Sequence, residues 1–361
     1  MNLAERLAQF SAQNTVQPIG INGKVLLIDG LNTYLRCFSA TPTMDDDGQH
    51  IGGITGFMLS MGAAIRTHRP TRVVVVFDGQ GGSQRRRKLF PEYKGHRRMM
   101  TQLNRTYDFA SLEDEQRAMK WQLVKLVEIL SFLPVTCTHI ENVEADDVIA
   151  YLASYIEENG GSSVIMSTDK DFLQLITEQT TVWNPAKKKM YRAESTVEDY
   201  GFHPNNFLLY RAITGDKSDN IPGVEGIKEK TLLKHFPELA LEAKCSIDDI
   251  LASTKEQIAA KKKPPVVLTK LVNSEERIRL NLQLMRLDDE AEMSVSARTR
   301  AMDLFDAPPT QLKKYELTKS VASDKILNAF SDWDHWILST FSLLNRYAVQ
   351  NNADQQTGMN K

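Results

Sequence analysis

Three short apolar runs, each handing the chain on to an aspartate, constrain this sequence more than any other feature. Lys24 to Ile28 reads KVLLI and meets Asp29; Val73 to Phe77 reads VVVVF and meets Asp78; Val164 to Met166 reads VIM and leads through Ser167 and Thr168 to Asp169. Runs of this length, apolar throughout and rich in β-branched residues, suit strands buried on both faces. The helical stretches between them indicate an α/β fold, a parallel sheet with helices on both sides. In open α/β sheets the functional crevice lies at the carboxyl ends of the strands, so acids leaving three different strands are predicted to converge.

A second group of acids falls on a predicted helix. In Val143 to Tyr155 (VEADDVIAYLASY), continued by Ile156, an apolar stripe runs through Val148, Ile149, Leu152 and Ile156. Glu144, Asp146 and Asp147 occupy its first turn, with Glu144 and Asp147 on one face. Acids there also suit the helix dipole, so the segment taken alone reads as a solvated helix start. The count of acids elsewhere argues against that. Asp171 follows Asp169, and the loop GDKSDN supplies Asp216 and Asp219, which brings the carboxylates at element ends to nine. In one crevice they would raise each other's pKa unless cations sat between them. Ligands that are all oxygen favour magnesium, or manganese in its place, over zinc. Two such ions about 4 Å apart activate a water and stabilise both oxygens of an in-line phosphoryl displacement, without a nucleophilic side chain.

The charge distribution fits a polyanionic substrate. Forty-four Lys and Arg against forty-six Asp and Glu leave a net charge of −2, yet Gln84 to Arg98 (QRRRKLFPEYKGHRR) holds seven basic residues and one acid. Smaller basic clusters follow at Lys187 to Lys189 and Lys261 to Lys263. A basic strip beside an acidic pocket draws in phosphates while cations are held against them. The chain of 361 residues is long enough for one large or two coupled domains. No apolar run reaches the roughly 18 residues that span a bilayer, the opening lacks a signal-peptide layout, and the three cysteines are odd in number and widely spaced. These features predict a cytoplasmic protein with no membrane partner and reduced cysteines.

Gly215 to Phe236 (GDKSDNIPGVEGIKEKTLLKHF) has a helix-hairpin-helix pattern. Gly223 and Gly226 permit a tight turn with exposed amides, and Lys228, Lys230 and Lys234 project from the helix that follows. Such hairpins grip phosphates through backbone N–H groups without reading sequence. A glycine hairpin between helices also occurs as plain structure; the acids before it and the lysines after it favour DNA.

The strings LIDGLNTYLR, VVFDG, LFPEYKGHR, VEADDVIAYL, STDKDF and ITGDKSDNIPGVEGIKEKT, taken in order, resemble the motif set of the flap endonuclease and 5′-3′ exonuclease family, most closely its free-standing bacteriophage members. The likeness spans roughly residues 24 to 290. It implies a PIN-like nuclease domain over residues 23–203, with a helical arch at about 79–115, and a mostly helical DNA-binding region over 204–300. An N-terminal extension, 1–22, and a C-terminal helical region with a polar tail, 301–361, lie outside these. It also implies a two-metal site, with Asp29, Asp78 and Asp146 on one ion and Asp169, Asp171, Asp216 and Asp219 on the other. Glu144 and Asp147 would act partly through water. Arg36, Arg85, Arg86, Lys88, Tyr93, Lys94 and Arg97 would meet phosphates and the unpaired 5′ strand, with Lys94 at the scissile phosphate; Tyr93 reads equally as core. Lys228 departs from the family, where many relatives have glycine. The implied substrates are branched or nicked DNA and RNA–DNA hybrids with a 5′ end. The implied setting is primer removal in phage replication, similar to phage RNase H proteins, by a monomer.

Three further expectations concern the flanks and the hinge. Leu3, Leu7 and Phe10 form a stripe suited to docking on a sliding clamp or a single-strand binding protein, whereas Trp333, Trp336, Ile337, Phe341 and Leu344 read as core. GQGGS at Gly79 reads as a flexible hinge, and the polar last residues as disordered. A phosphatase with the same strand-then-aspartate start needs an acid where Leu31 stands, and a PIN ribonuclease toxin would be shorter and lack the hairpin. A non-catalytic DNA-binding relative would have lost acids.

Overall fold

A computed structural model of the chain describes residues 20–95, 101–287 and 293–358, with side chains as far as 350. Six strands form one sheet: β1 (Lys24–Asp29), β2 (Arg72–Phe77), β3 (Thr136–His139), β4 (Ser162–Met166), β5 (Thr180–Asn184) and β6 (Lys189–Tyr191). Their spatial order is β3-β2-β1-β4-β5-β6, parallel except that β6 runs against β5. The chain therefore starts its sheet in the middle and builds outward to both sides. Strand order reverses beside β1, which is where a crevice opens in such sheets.

The expected two-sided burial holds. Val25, Leu26, Leu27 and Ile28 are fully buried, and the alternation of a strand divides them between two cores. Val25 and Leu27 join Val74, Val76 and Ile165 in a layer with helix Ala145–Glu158 and the helical region that begins at Pro204. Leu26 and Ile28 join Val73, Val75, Val164 and Met166 in the opposite layer, with helices Gly30–Ala40, Gly52–His68 and Leu112–Leu130. The last helix, Trp333–Gly358, closes this second layer. Trp333, Trp336, Ile337, Phe341 and Leu344 are buried in it, and Arg66 Nη1 donates to Thr340 Oγ1 at 2.6 Å, so the tryptophan stripe is core. The stripe at Leu3, Leu7 and Phe10 lies outside the described residues.

Two local expectations change. GQGGS is a close-packed turn: a Cβ on Gly79 would stand 1.7 Å from the Ile140 carbonyl oxygen. The Gly79 amide donates to Val143 O and the Asn142 amide to Gln80 O, which stitches the turn to the start of the acidic helix. Those glycines serve close approach. The polar tail continues as helix to Gly358, since extending a formed helix avoids the unfavourable nucleation step. Among the described residues no helix is long and apolar enough to cross a membrane.

Candidate active site

β1, β2 and β4 are adjacent, so the acids at their ends meet. Asp29 closes β1 and caps the helix after it, accepting from Asn32 N at 3.1 Å. Its other oxygen accepts from Ser167 Oγ at 3.0 Å, and the same Oγ takes the Asp169 amide at 3.0 Å, so one serine joins two acids. Asp78 reaches across to accept from Ala145 N at 2.9 Å, holding the first turn of helix Ala145–Glu158 against β2. That brings Asp146 opposite Asp29 and Asp169. Burial pushes Asp29 up to about 7, and the Asp169 and Asp78 charges add to it against the Asn32 and Ser167 hydrogen bonds. Burial, then the charges of Asp29 and Asp169, also push Asp146 well above the usual carboxylate range.

The other acids are drawn to cations of the protein. Burial would raise Glu144, but Lys94 and Arg86 outweigh it and hold the carboxyl down to about 2. Lys94 Nζ lies 2.5 Å from Glu144 Oε1 and 4.0 Å from Asp219 Oδ2, and its amide donates to Asp219 O at 2.9 Å. Its backbone is left-handed, φ +53°, a conformation costing a lysine roughly 1 kcal/mol or more and sustained by these contacts. Asp147 lies behind the crevice, gripped by both terminal nitrogens of Arg86 at 2.7 Å. Asp171 and Asp216 share Arg211: Nε donates to Asp171 Oδ1 at 2.7 Å, and Nη2 to Asp216 Oδ2. Burial and Asp169 raise Asp171 to about 6 against the pull of Arg211. For Asp216, burial is outweighed by Arg211 and Ser218, which hold it below its ordinary range.

As placed, no three Asp, Glu, His or Cys side chains among the described residues gather tightly enough to enclose a metal ion. The donor chemistry nevertheless fits a hard cation. Among the described residues no ion pair reaches Asp29, Asp78, Asp146 or Asp169, so this all-oxygen group has no bonded protein cation to balance it.

The basic residues divide. Lys88 is exposed, Arg85 is half-buried, and Arg36 donates to Ser60 Oγ at 3.1 Å. Arg86 is 3% exposed, its nitrogens given to Glu144, Asp147 and the carbonyls of Leu284 and Arg286. Tyr93 is buried too, donating to Glu144 Oε2 at 3.2 Å and packing with Ile221, Leu284 and Met285. Both side chains thus face inward from the base of the expected arch. Arg97 lies outside the described residues. In the hairpin, a Cβ on Gly223 would strike the Thr214 carbonyl at 2.1 Å, and Gly226 has φ +82°. Lys228 caps helix Glu229–His235 with ordinary extended backbone, so this turn does not require glycine there. Lys228, Lys230 and Lys234 are exposed.

Ser167 and Arg211 escaped the sequence reading. Ser167 had a local signal, a hydroxyl two residues before an acid, where it accepts that residue's amide. For Arg211, Asp216 is five residues on, but Asp171, the acid it ties to Asp216, is 40 residues away.

A model of the 5′-3′ exonuclease N-terminal resolvase-like domain matches residues 24–201, and one of the 5′-3′ exonuclease C-terminal SAM fold matches residues 202–307. The flap endonuclease Xni of Shewanella sediminis is 33% identical over 270 residues, 72% of this chain and 94% of that protein. The 5′-3′ exonuclease of Aquifex aeolicus is 32% identical over 57% of this chain and 66% of its own length. DNA polymerase I of Bacillus caldotenax is 32% identical over 64% of this chain but only 25% of its own, so the chain corresponds to a quarter of that polymerase. A bacteriophage T5 D15 flap endonuclease complex with DNA and metal ions shares the fold, with a TM-score of 0.60 at 21% identity over 85% of this chain and 98% of that one. From a nearly full-length match to one flap endonuclease and family models running unbroken from residue 24 to 307, the chain belongs to the 5′-3′ exonuclease family, whose members are hydrolases acting on DNA.

Proposed function

We propose that this chain is a divalent-cation-dependent 5′ nuclease that cuts phosphodiester bonds near the free 5′ end of branched or nicked DNA. The observation that carries this reading is the group of Asp29, Asp78, Asp146 and Asp169, which makes no ion pair among the described residues, at the point where strand order reverses. Two magnesium ions, or manganese in their place, are the proposed occupants: Asp29, Asp78 and Asp146 would hold one, Asp169, Asp171, Asp216 and Asp219 the other, with Glu144 and Asp147 behind them. Such ions supply an activated water and charge stabilisation at the phosphate. The chain's own residues do the rest. Ser167 and Asn32 orient Asp29, and the Ala145 amide orients Asp78. Lys94, held at the crevice edge by Glu144 and the Asp219 carbonyl, would meet negative charge developing on the scissile phosphate.

The proposed division of labour puts most of the metal ligands in residues 23–203, and Asp216, Asp219 and duplex binding in 204–300, the last through Gly223, Gly226, Lys228, Lys230 and Lys234. Arg36, Arg85 and Lys88 would meet phosphates of the 5′ strand. Removal of primer RNA in replication, phage replication included, extends the same reading to RNA–DNA hybrids. A 5′-labelled flap duplex and a matched hybrid, each incubated with and without magnesium, test it. Metal-dependent cleavage near the junction is expected, and its absence would sink the nuclease reading. Cleavage of the DNA flap alone would remove the primer role.

A further inference from the structure

We infer that Arg211 is a positioning residue of this site, a resident counter-cation that holds Asp171 and Asp216 together and competes with a divalent ion for them. The inference rests on the nuclease reading above. Arg211 lies in the last turn of helix Pro204–Thr214, its side chain 4% exposed. Its Nε donates to Asp171 and its Nη2 to Asp216, while Nη1 lies 3.4 Å from Gly215 O. One rigid guanidinium therefore ties an acid of the turn after β4 to an acid beside the hairpin, a task suited to its planar fork. Asp171 passes the constraint on, because its amide donates to Asp169 Oδ1 at 2.9 Å. Asp216 is tied from its other side by the Ser218 amide and hydroxyl at 2.7 and 2.6 Å.

The site is thus asymmetric in charge. Its centre, Asp29, Asp78, Asp146 and Asp169, makes no ion pair among the described residues, whereas its Asp171–Asp216 edge already carries a positive group. A cation arriving at that edge meets Arg211, and it binds less tightly than the same carboxylates alone would allow. If Arg211 were only a structural clamp, removing it would loosen the fold without strengthening cation binding, and no cation would repair the loss.

Manganese titrated without DNA, by calorimetry and by its electron paramagnetic resonance signal, separates these outcomes in the wild type, Arg211→Gln, Arg211→Lys and Asp29→Asn. Arg211→Gln is expected to bind manganese about tenfold more tightly than wild type, as removal of a directly adjoining positive charge predicts. It should also melt lower in chelator and regain most of that loss with manganese. Arg211→Lys, which keeps the charge, should stay within about twofold of wild-type affinity. Unchanged or weaker manganese affinity in Arg211→Gln, or a variant unfolded with and without the ion, overturns the proposal; folding only in the presence of manganese supports it. A wild type that binds no manganese, or one that Asp29→Asn leaves unaltered, brings down the nuclease reading instead.

Discussion

Asp29 shows at a single residue how a cation site is prepared. Burial and neighbouring acids move its pKa from 3.8 to about 7 in the folded state. Folding therefore favours the protonated carboxyl. Between those values the folded protein binds a proton that the unfolded chain has released, so this group withdraws stability as pH rises through the window. In chelator at pH 8, Asp29→Asn is expected to be more stable than wild type by more than about 1 kcal/mol, with no gain at pH 4. Thermal melts at both values check this, and an equal effect at each would refute it. Added magnesium should erase the advantage at pH 8, because the ion then supplies the compensation. Ser167 and Arg211 act at the same scale, each joining two acids that sequence spacing alone left unconnected.

At the scale of elements, the site is made by ends. β1, β2 and β4 deliver their acids to one edge of the sheet, and helix Ala145–Glu158 points its N-terminus at the same edge, where Asp78 accepts its first amide. Acids gathered there suit the positive end of the helix dipole as well as a metal. The hairpin is a separate element with a separate job. Its three lysines are exposed and lie on or next to the short helix that the turn leads into. Replacing Lys228, Lys230 and Lys234 with alanine should weaken duplex binding regardless of sequence. It should also reduce the slope of log affinity against log salt by roughly 0.9 for each phosphate that is no longer neutralised. Binding titrations from low to moderate salt measure that slope, and an unchanged value would mean the lysines touch no phosphate.

Across the whole molecule, Arg86 joins three parts of the chain. It lies at the base of the expected arch, grips Glu144 and Asp147 on the acidic helix, and donates to the carbonyls of Leu284 and Arg286 at the end of helix Glu275–Met285. Tyr93 packs beside it with Ile221, Leu284 and Met285, so the arch base and the hairpin region share a small core. Truncating one partner of a buried ion cluster strands the others. Arg86→Ala is therefore expected to lower unfolding free energy by about 3–5 kcal/mol, read by urea melts; a loss below about 1 kcal/mol would show that Glu144 and Asp147 find other partners. From the sequence by itself came three of the six strands, the acidic helix, the hairpin and the order of the acids, because apolar runs and period-3.6 patterns are local and a strand that ends in aspartate announces its own crevice. Only the tertiary structure decided which acids are held by Lys94, Arg86 and Arg211 and which make no ion pair among the described residues; it turned Arg86 inward from a strip that reads as basic and buried Tyr93, which reads equally as core. Those acid–cation pairings join residues as far apart as Arg86 and Asp147, 61 positions in sequence, and a charge chooses its partner by distance in space after packing has set it.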